Sequence, residues 1–265
     1  PEARSTASLG LDWLGLLDAE LAVEAARLEP LGWTPLEAFS GTLRLADRVL
    51  RLDATQAKLG GGSLQGSLLV DGAASPPRLT LDARLADATV SAPLFDLPFD
   101  LGTGRVEGHA KLRADGHSMA ALAATLDGSL GLVVRDGLLV GLDLAALQAA
   151  ALAEPGPDEA AMRQALAGGG SAFDRLEAAA QVSAGRARLT TGTIATQGAP
   201  QGAPQGAGEA SLAGDIDLAR ATLDLRLAAR PVAEAPEIGL RLTGPLAEPR
   251  RLPELAPFLR WRAER

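Results

Sequence analysis

Few side chains in this sequence have the type and spacing that metal binding or acid–base catalysis requires. His109, Asp115 and His117 all have odd numbers, so in one continuous strand all three would face one side and could offer ligands to a metal ion. The pair Asp115-Gly116 is typical of a turn, however, and a turn there would break the shared facing. We therefore favour exposed histidines over a metal site.

Asp215 and Asp217 share one face of another predicted strand, as a general acid and base could. No histidine or nucleophile motif accompanies them, which favours a solvated strand face. Residues 61–65 lack the last glycine of a nucleophile elbow, and 102–107 lack the last glycine of a dinucleotide-binding turn. The three glycines at 60–62 precede no predicted helix, so they indicate a bulge or turn rather than a phosphate site. The sequence predicts a protein that is not an enzyme and needs no cofactor.

Composition narrows the class of protein further. The chain has 265 residues, 47% of them hydrophobic, which is enough for one large β domain or two smaller ones. A net charge of −8 argues against a nucleic-acid partner, and the absence of cysteine excludes disulfides. No stretch approaches the roughly 18 apolar residues of a membrane-spanning helix. The chain opens at Pro1 without a methionine or an apolar signal core, which predicts a processed form or a fragment, so an anchor upstream would not be visible in this sequence.

Leucine recurs at every second position through most of the chain, with arginine, aspartate or threonine between. Because side chains alternate faces along a strand, each such run has one apolar and one charged face. A sheet of these strands must close on itself or cover its apolar face with acyl chains, and composition does not choose between these outcomes. The residues predicted to line the apolar face are Leu43, Leu45, Leu79, Leu81, Leu223, Leu225, Leu227, Leu240 and Leu242.

The pattern divides the chain into four parts. Residues 1–141 predict successive antiparallel strands. Residues 142–170 change to a helical period, with Asp158 as the cap of the second of two short helices. Strands resume over 171–253, completing the same sheet, and 254–265 form a basic tail.

Turn-forming sequences separate the predicted strands. Ala46–Arg48 and Ala184–Arg186 predict tight hairpin turns, and Asp136-Gly137 predicts a turn after a strand over 122–135. Residues 197–208 repeat a glycine- and proline-rich tetrapeptide that cannot extend a sheet, so they predict a flexible hairpin loop.

Aromatic and basic residues mark two further candidates. Trp13 and Trp33 lie near predicted strand ends, where they could pack on the core or form the lip of a lipid groove. Arg260, Trp261 and Arg262 form a basic–aromatic cluster in the tail. Such a cluster could lie at a lipid headgroup layer, although a solvated tail or a capping segment is the simpler interpretation.

Four segments, taken in order, resemble the AsmA family of bacterial envelope proteins. The first segment, 126–144, resembles the family's passage from a strand through an Asp-Gly turn and a G-[ILV]-D-L motif into a helix. The second, 168–187, resembles the T-x-F-D-x-L motif at which the family's last sheet begins. The third is similar to its G-x-G-x-[IV]-D-L motif, and the fourth to its closing G-x-[LF]-x-x-P. The segments are 126–144, 168–187, 208–225 and 242–249.

This resemblance implies a mainly β fold: a long twisted antiparallel sheet curled into an open groove, with a short two-helix insertion near the middle. It implies a periplasmic protein tethered to the inner membrane by a helix that this chain lacks, acting in phospholipid movement and outer-membrane biogenesis. Phospholipid is then the expected ligand, and envelope assembly proteins are possible partners. The alternatives are a self-closed β scaffold that modulates outer-membrane protein assembly without lipid and, third, a hydrolase.

Overall fold

A computed structural model of the chain describes residues 5–29, 35–90, 100–196, 209–231 and 234–264. Its strands form a single antiparallel sheet in which each strand pairs with its neighbours in the sequence. The strands are β1 Ala19–Leu28, β2 Leu36–Ala46, β3 Val49–Leu59, β4 Gly62–Asp71, β5 Arg78–Val90, β6 Asp100–Asp115, β7 Asp127–Val140, β8 Gly170–Ser183, β9 Arg186–Thr196, β10 Glu209–Asp217, β11 Thr222–Ala229, β12 Ile238–Pro245 and β13 Arg250–Glu254.

Two-residue turns connect several of these strands, as the sequence predicts. Asp47 and Arg48 join β2 to β3 with φ values of 51° and 64°, and Ala184 and Gly185 join β8 to β9 with φ values of 47° and 72°. Two consecutive residues with positive φ give the turn whose twist matches that of the flanking strands. These hairpins fix the register of their strand pairs.

Two local predictions are wrong. Asp136-Gly137 is not a turn but lies inside β7, where Asp136 has a φ of 51° and the register with β6 shifts, which makes a β-bulge. A bulge and a turn can both use positive φ, so the dipeptide does not distinguish them. The strand predicted from residue 122 begins only at Asp127, after a helix.

The structure has four α-helices in its described residues and one 3-10 turn, Leu11–Gly15. Asp143 and Asp158 cap the helices of the insertion, accepting hydrogen bonds from the backbone N–H of Ala146 at 2.8 Å and Ala161 at 2.9 Å. No helix in the described part of the chain has the length and hydropathy that crossing a bilayer requires. The helices are α1 Met119–Thr125, α2 Leu144–Ala151, α3 Glu159–Ala165 and α4 Ala256–Ala263.

The sheet curls around its helices. Ala88 of β5 and Leu240 of β12 belong to one buried core with α2, α3 and α4, although seven strand intervals separate them. In a flat sheet that separation is about 34 Å, so the strands must wrap around the helices to share a core. The edge strands β1 and β13 do not pair with each other within the described residues, so the sheet stays open. The predicted curled open sheet with a two-helix insertion is confirmed.

Candidate functional site

A ladder of leucines crosses six neighbouring strands on the inner face of the sheet. Successive members lie directly opposite one another, and strands about 4.8 Å apart give the ladder a length of roughly 24 Å. Its outermost member, Leu21, is 55% exposed, and Leu81 in the middle is 36% exposed. We call this row the open ladder; its members are Leu21, Leu43, Leu52, Leu68, Leu81 and Leu112.

A second apolar row runs beside the open ladder, nearer the ends of the strands. It contains the predicted residues Leu45 and Leu79, together with Leu50 and Val70. Leu14 of the 3-10 turn is fully buried against this row, forming a small separate core. The turn therefore walls one side of the groove; of the open ladder, Leu68 packs on this small core, while Leu21 and Leu81 stay exposed.

Small side chains widen the groove beyond the open ladder. Ala83 of β5 lies opposite Ala110 of β6, and Gly108 lies opposite Leu85 and Leu132. Alanine and glycine are smaller than the leucines of the same face, although Leu132 fills part of the space at Gly108, where an added Cβ would lie 3.7 Å from its Cδ1. The floor is thus apolar but uneven.

Helices cover the other end of the same face. The predicted groove residues Leu225, Leu227, Leu240 and Leu242 are buried in one core with Met162 of α3 and Phe258 of α4, among other helix residues, while Leu223 is half-buried at its margin. The structure therefore places the nine predicted leucines in two surroundings. The residues of β2 and β5 lie in or beside an open groove, and those of β11 and β12 lie against protein.

Ion pairs cover the outer face of the sheet. They connect neighbouring strands, as in Arg44–Glu20 at 3.1 Å, Lys111–Asp82 at 3.4 Å and Arg241–Asp224 at 2.8 Å. The side-chain hydrogen bond from Arg241 holds the pKa of Asp224 below its ordinary value. A charged outer face of this kind keeps that side of the sheet in water and leaves the inner face as the apolar one.

The two predicted candidates for acid–base chemistry have basic partners on this outer face. Asp215 accepts a hydrogen bond from Arg188 at 3.0 Å, and Asp217 pairs with Arg220 at 2.9 Å. The backbone N–H of Arg220 is the main cause that lowers the pKa of Asp217. A lowered pKa keeps a carboxylate ionised, which is the opposite of what a general acid at neutral pH needs.

The three residues considered for metal binding are not assembled into a site. Asp115 accepts a hydrogen bond from Arg78 at 2.7 Å, His117 lies beyond the end of β6, and His109 stacks over Gly131 of the next strand. Across the described ranges, no group of three or more histidine, cysteine, aspartate or glutamate side chains could hold a metal ion.

The tail residues predicted to be interfacial lie on α4. Trp261 is half-buried, with its ring centroid 5.7 Å from that of Phe258, and Arg262 pairs with Glu154 at 3.2 Å. Arg260 is exposed. In this structure the segment caps the covered end of the sheet, and contact with lipid headgroups stays a prediction. Trp13 is exposed on the 3-10 turn, whereas Trp33 and the 197–208 repeat lie outside the described residues.

The sequence pattern missed two features that shape the groove. Four further leucines complete the open ladder, and the cross-strand register reveals them: Leu21, Leu52, Leu68 and Leu112. Arg251 of β13 donates hydrogen bonds to the carbonyl oxygens of Gly141 and Leu166, which joins the edge of the sheet to the helical insertion. Burial lowers the pKa of the Arg251 guanidinium.

Comparisons with known proteins agree with this architecture. The profile of the AsmA family matches residues 7–191, which includes the strands of the open ladder. The AsmA family protein YhjG of Escherichia coli strain K12 is 27% identical over 125 residues, covering 47% of this chain and 18% of that relative. The matched region is thus less than a fifth of the relative's length. No solved structure matches the chain.

Proposed function

Because this chain belongs to the AsmA family, we propose that its open groove shelters the acyl chains of phospholipids without catalysing a reaction. The open ladder is the observation that carries the proposal. Each leucine side chain is worth roughly 1.5–3 kcal/mol when it leaves water, so a six-strand row of them favours an apolar ligand. A phospholipid would place its acyl chains on the ladder and keep its headgroup at the open side, in water.

Family membership favours a protein of the bacterial envelope. In this proposal the protein acts in the periplasm, tethered to the inner membrane by a helix outside this chain, and contributes to lipid transport and outer-membrane biogenesis. The polarity of the two faces supports this placement of lipid. The outer face has its ion pairs in water, and the inner face has an apolar path between the 3-10 turn and the helical insertion.

The test is the lipid content of protein purified from a bacterial periplasm without detergent. Organic extraction and mass spectrometry should find phospholipid in stoichiometric amounts. The variant Leu81→Arg places a charge in the middle of the open ladder and should lose most of the lipid. Ser67→Arg is the matched control, because Ser67 lies on the outer face of the neighbouring strand, opposite Asp82. Equal lipid in both variants, or none in the unmodified protein, would contradict the proposal.

A lipid-free scaffold for envelope assembly is the second candidate, and one observation favours it. The covered end of the sheet is already a dry protein core, formed without any ligand. A scaffold would purify free of lipid, unfold in a single cooperative transition and ignore detergent. Activity on a panel of ester and phosphate substrates would support neither candidate and would indicate a hydrolase.

A further inference from the structure

The two edges of the sheet differ in how well they are protected. Edge strand β13 has five residues, one of them Pro253, which has no N–H to offer, and α4 follows it directly. Edge strand β1 has ten residues, with no proline, glycine or lysine among them. Within the described chain, β1 pairs only with β2, so its other side presents unpaired N–H and C=O groups.

The described segment before β1 runs away from this edge. The N–H of Leu9 donates to the carbonyl oxygen of His117 at 2.9 Å, and the N–H of Ala120 donates to that of Ser5 at 3.1 Å. These contacts take the segment across the end of the sheet to α1. Apolar side chains remain uncovered beside the edge; Leu16, directly after the 3-10 turn, is 79% exposed.

The charge of the chain around β1 indicates which kind of strand could pair with this edge. Residues 11–29 contain five acidic residues and one basic residue, Arg27, which gives a net charge of −4. Arg27 pairs with Glu29 and Arg44 pairs with Glu20, whereas Glu24 makes no ion pair with any described residue. A second copy of this chain that pairs through its own β1 would bring the same −4 against it and be repelled, while a basic strand would be attracted.

We propose that β1 accepts an extended segment of another protein as an additional strand, one in which apolar residues alternate with arginine or lysine. The apolar side chains of that segment would lie beside Leu21 and Val23, which extends the inner face by one row. The basic side chains would lie beside Glu20 and Glu24 on the outer face. Backbone pairing would supply affinity and the alternating side chains specificity. This inference goes beyond the proposed lipid function and does not depend on it.

The probe is a fluorescently labelled peptide with the length of β1, alternating valine and arginine, and its binding is followed by fluorescence anisotropy. The unmodified protein should bind this peptide and not a counterpart in which glutamate replaces arginine. Leu21→Lys, which places a charge on the inner face of the edge strand, should weaken binding about tenfold or more. Leu252→Lys is the matched control, because Leu252 is 50% exposed on the opposite edge and its substitution should leave binding unchanged. Circular dichroism verifies that both variants fold.

A charge-reversal variant distinguishes recognition of the basic peptide from non-specific binding of peptides. Glu24→Arg should weaken binding of the basic peptide and strengthen binding of the acidic one. Three results would overturn the proposal: no binding of the basic peptide, equal binding by the two lysine variants, or no change of preference in Glu24→Arg. Sedimentation of the unmodified protein as a dimer that Leu21→Lys dissociates would also overturn it, since the occupant would then be a second copy.

Discussion

The leucines of β5 and β11 have the same sequence pattern and different surroundings. Leu79-Thr80-Leu81 and Leu225-Arg226-Leu227 both alternate leucine with a polar residue, yet Leu81 is 36% exposed and Leu227 only 1%. The difference comes from α2, α3 and α4, which pack on β11 and β12 and share a core with Ala88 of β5, but that core does not include Leu79 or Leu81. Alternation thus specifies an amphipathic strand but not what covers its apolar face. We refer to the part of the sheet that contains the open ladder as the open half, and to the part packed against α2, α3 and α4 as the covered half.

Truncating a leucine in each half should give the largest contrast. Leu240→Ala should lower the free energy of unfolding by about 2–5 kcal/mol, because it leaves a cavity in a dry core. Leu81→Ala should lower it by about 1 kcal/mol or less in lipid-free protein, since the side chain is already partly in water. Urea titration of both variants measures the difference. Equal losses would mean that the open half is packed as tightly as the covered half.

Removing the Arg251 side chain should destabilise only the covered half. Arg251→Ala leaves the carbonyl oxygens of Gly141 and Leu166 without these hydrogen bonds, at a cost of about 1–3 kcal/mol. Hydrogen exchange should speed up in α3 and β13 and stay unchanged in β2 and β3. Arg250→Ala, at the exposed neighbouring position, is the control. Faster exchange throughout the sheet would show that the two halves unfold as one unit.

Deleting a helix cap should have a smaller effect in the same region. Asp158→Ala removes the acceptor for the Ala161 N–H and should cost about 1 kcal/mol. The midpoint of thermal unfolding should fall in Asp158→Ala. In Gln164→Ala, a substitution at an exposed position of the same helix, the midpoint should be nearly unchanged. Phospholipid content should be the same in both variants if lipid occupies the open half alone.

Acid should reduce the stability contributed by the outer face equally in both halves. This should be the smallest of the four predicted effects. Hydrogen bonds from Arg78 and Arg241 lower the pKa of Asp115 in the open half and Asp224 in the covered half below 3.8. Because the folded-state pKa is the lower one, the stabilisation is fully present above 3.8 and is lost as pH falls through the folded-state pKa. Asp115→Asn and Asp224→Asn should each remove a small, similar part of the acid sensitivity in denaturant titrations at falling pH. A much larger change in one variant would show that the outer faces differ.

Local patterns predicted most strands because each strand has an amphipathic period and ends at turn residues. They failed where local sequence is ambiguous. Met119–Thr125 is too short for a helical period to show, although its alanines favour helix and Ser118 caps it through a hydrogen bond from the N–H of Ala121 at 3.2 Å. The edge strand β13 lies at the end of the region 171–253 predicted to form strands, but it is not predicted as a separate strand, because Pro253 and two arginines interrupt its alternation.

The candidate groove was predictable in its chemistry and not in its extent. The sequence identified Leu43 and Leu81 as apolar-face residues, and they lie in the open ladder. It also identified Leu240 by the same rule, and only the packing of α2–α4 separates that residue from the other two. The edge at β1 was equally hidden, because a strand's place in a sheet depends on long-range pairing that the period of its residues does not encode.

The sequential strand order has a consequence for how such a chain changes length over evolution. Since every strand pairs with its neighbours in the sequence, duplicating one hairpin would lengthen the sheet by about 10 Å and leave the order of all other strands intact. Its contacts are mostly those of adjacent hairpins, so an added unit has low contact order and can fold on the strand before it. The number of hairpins thus sets the length of the groove, and selection can change that length two strands at a time.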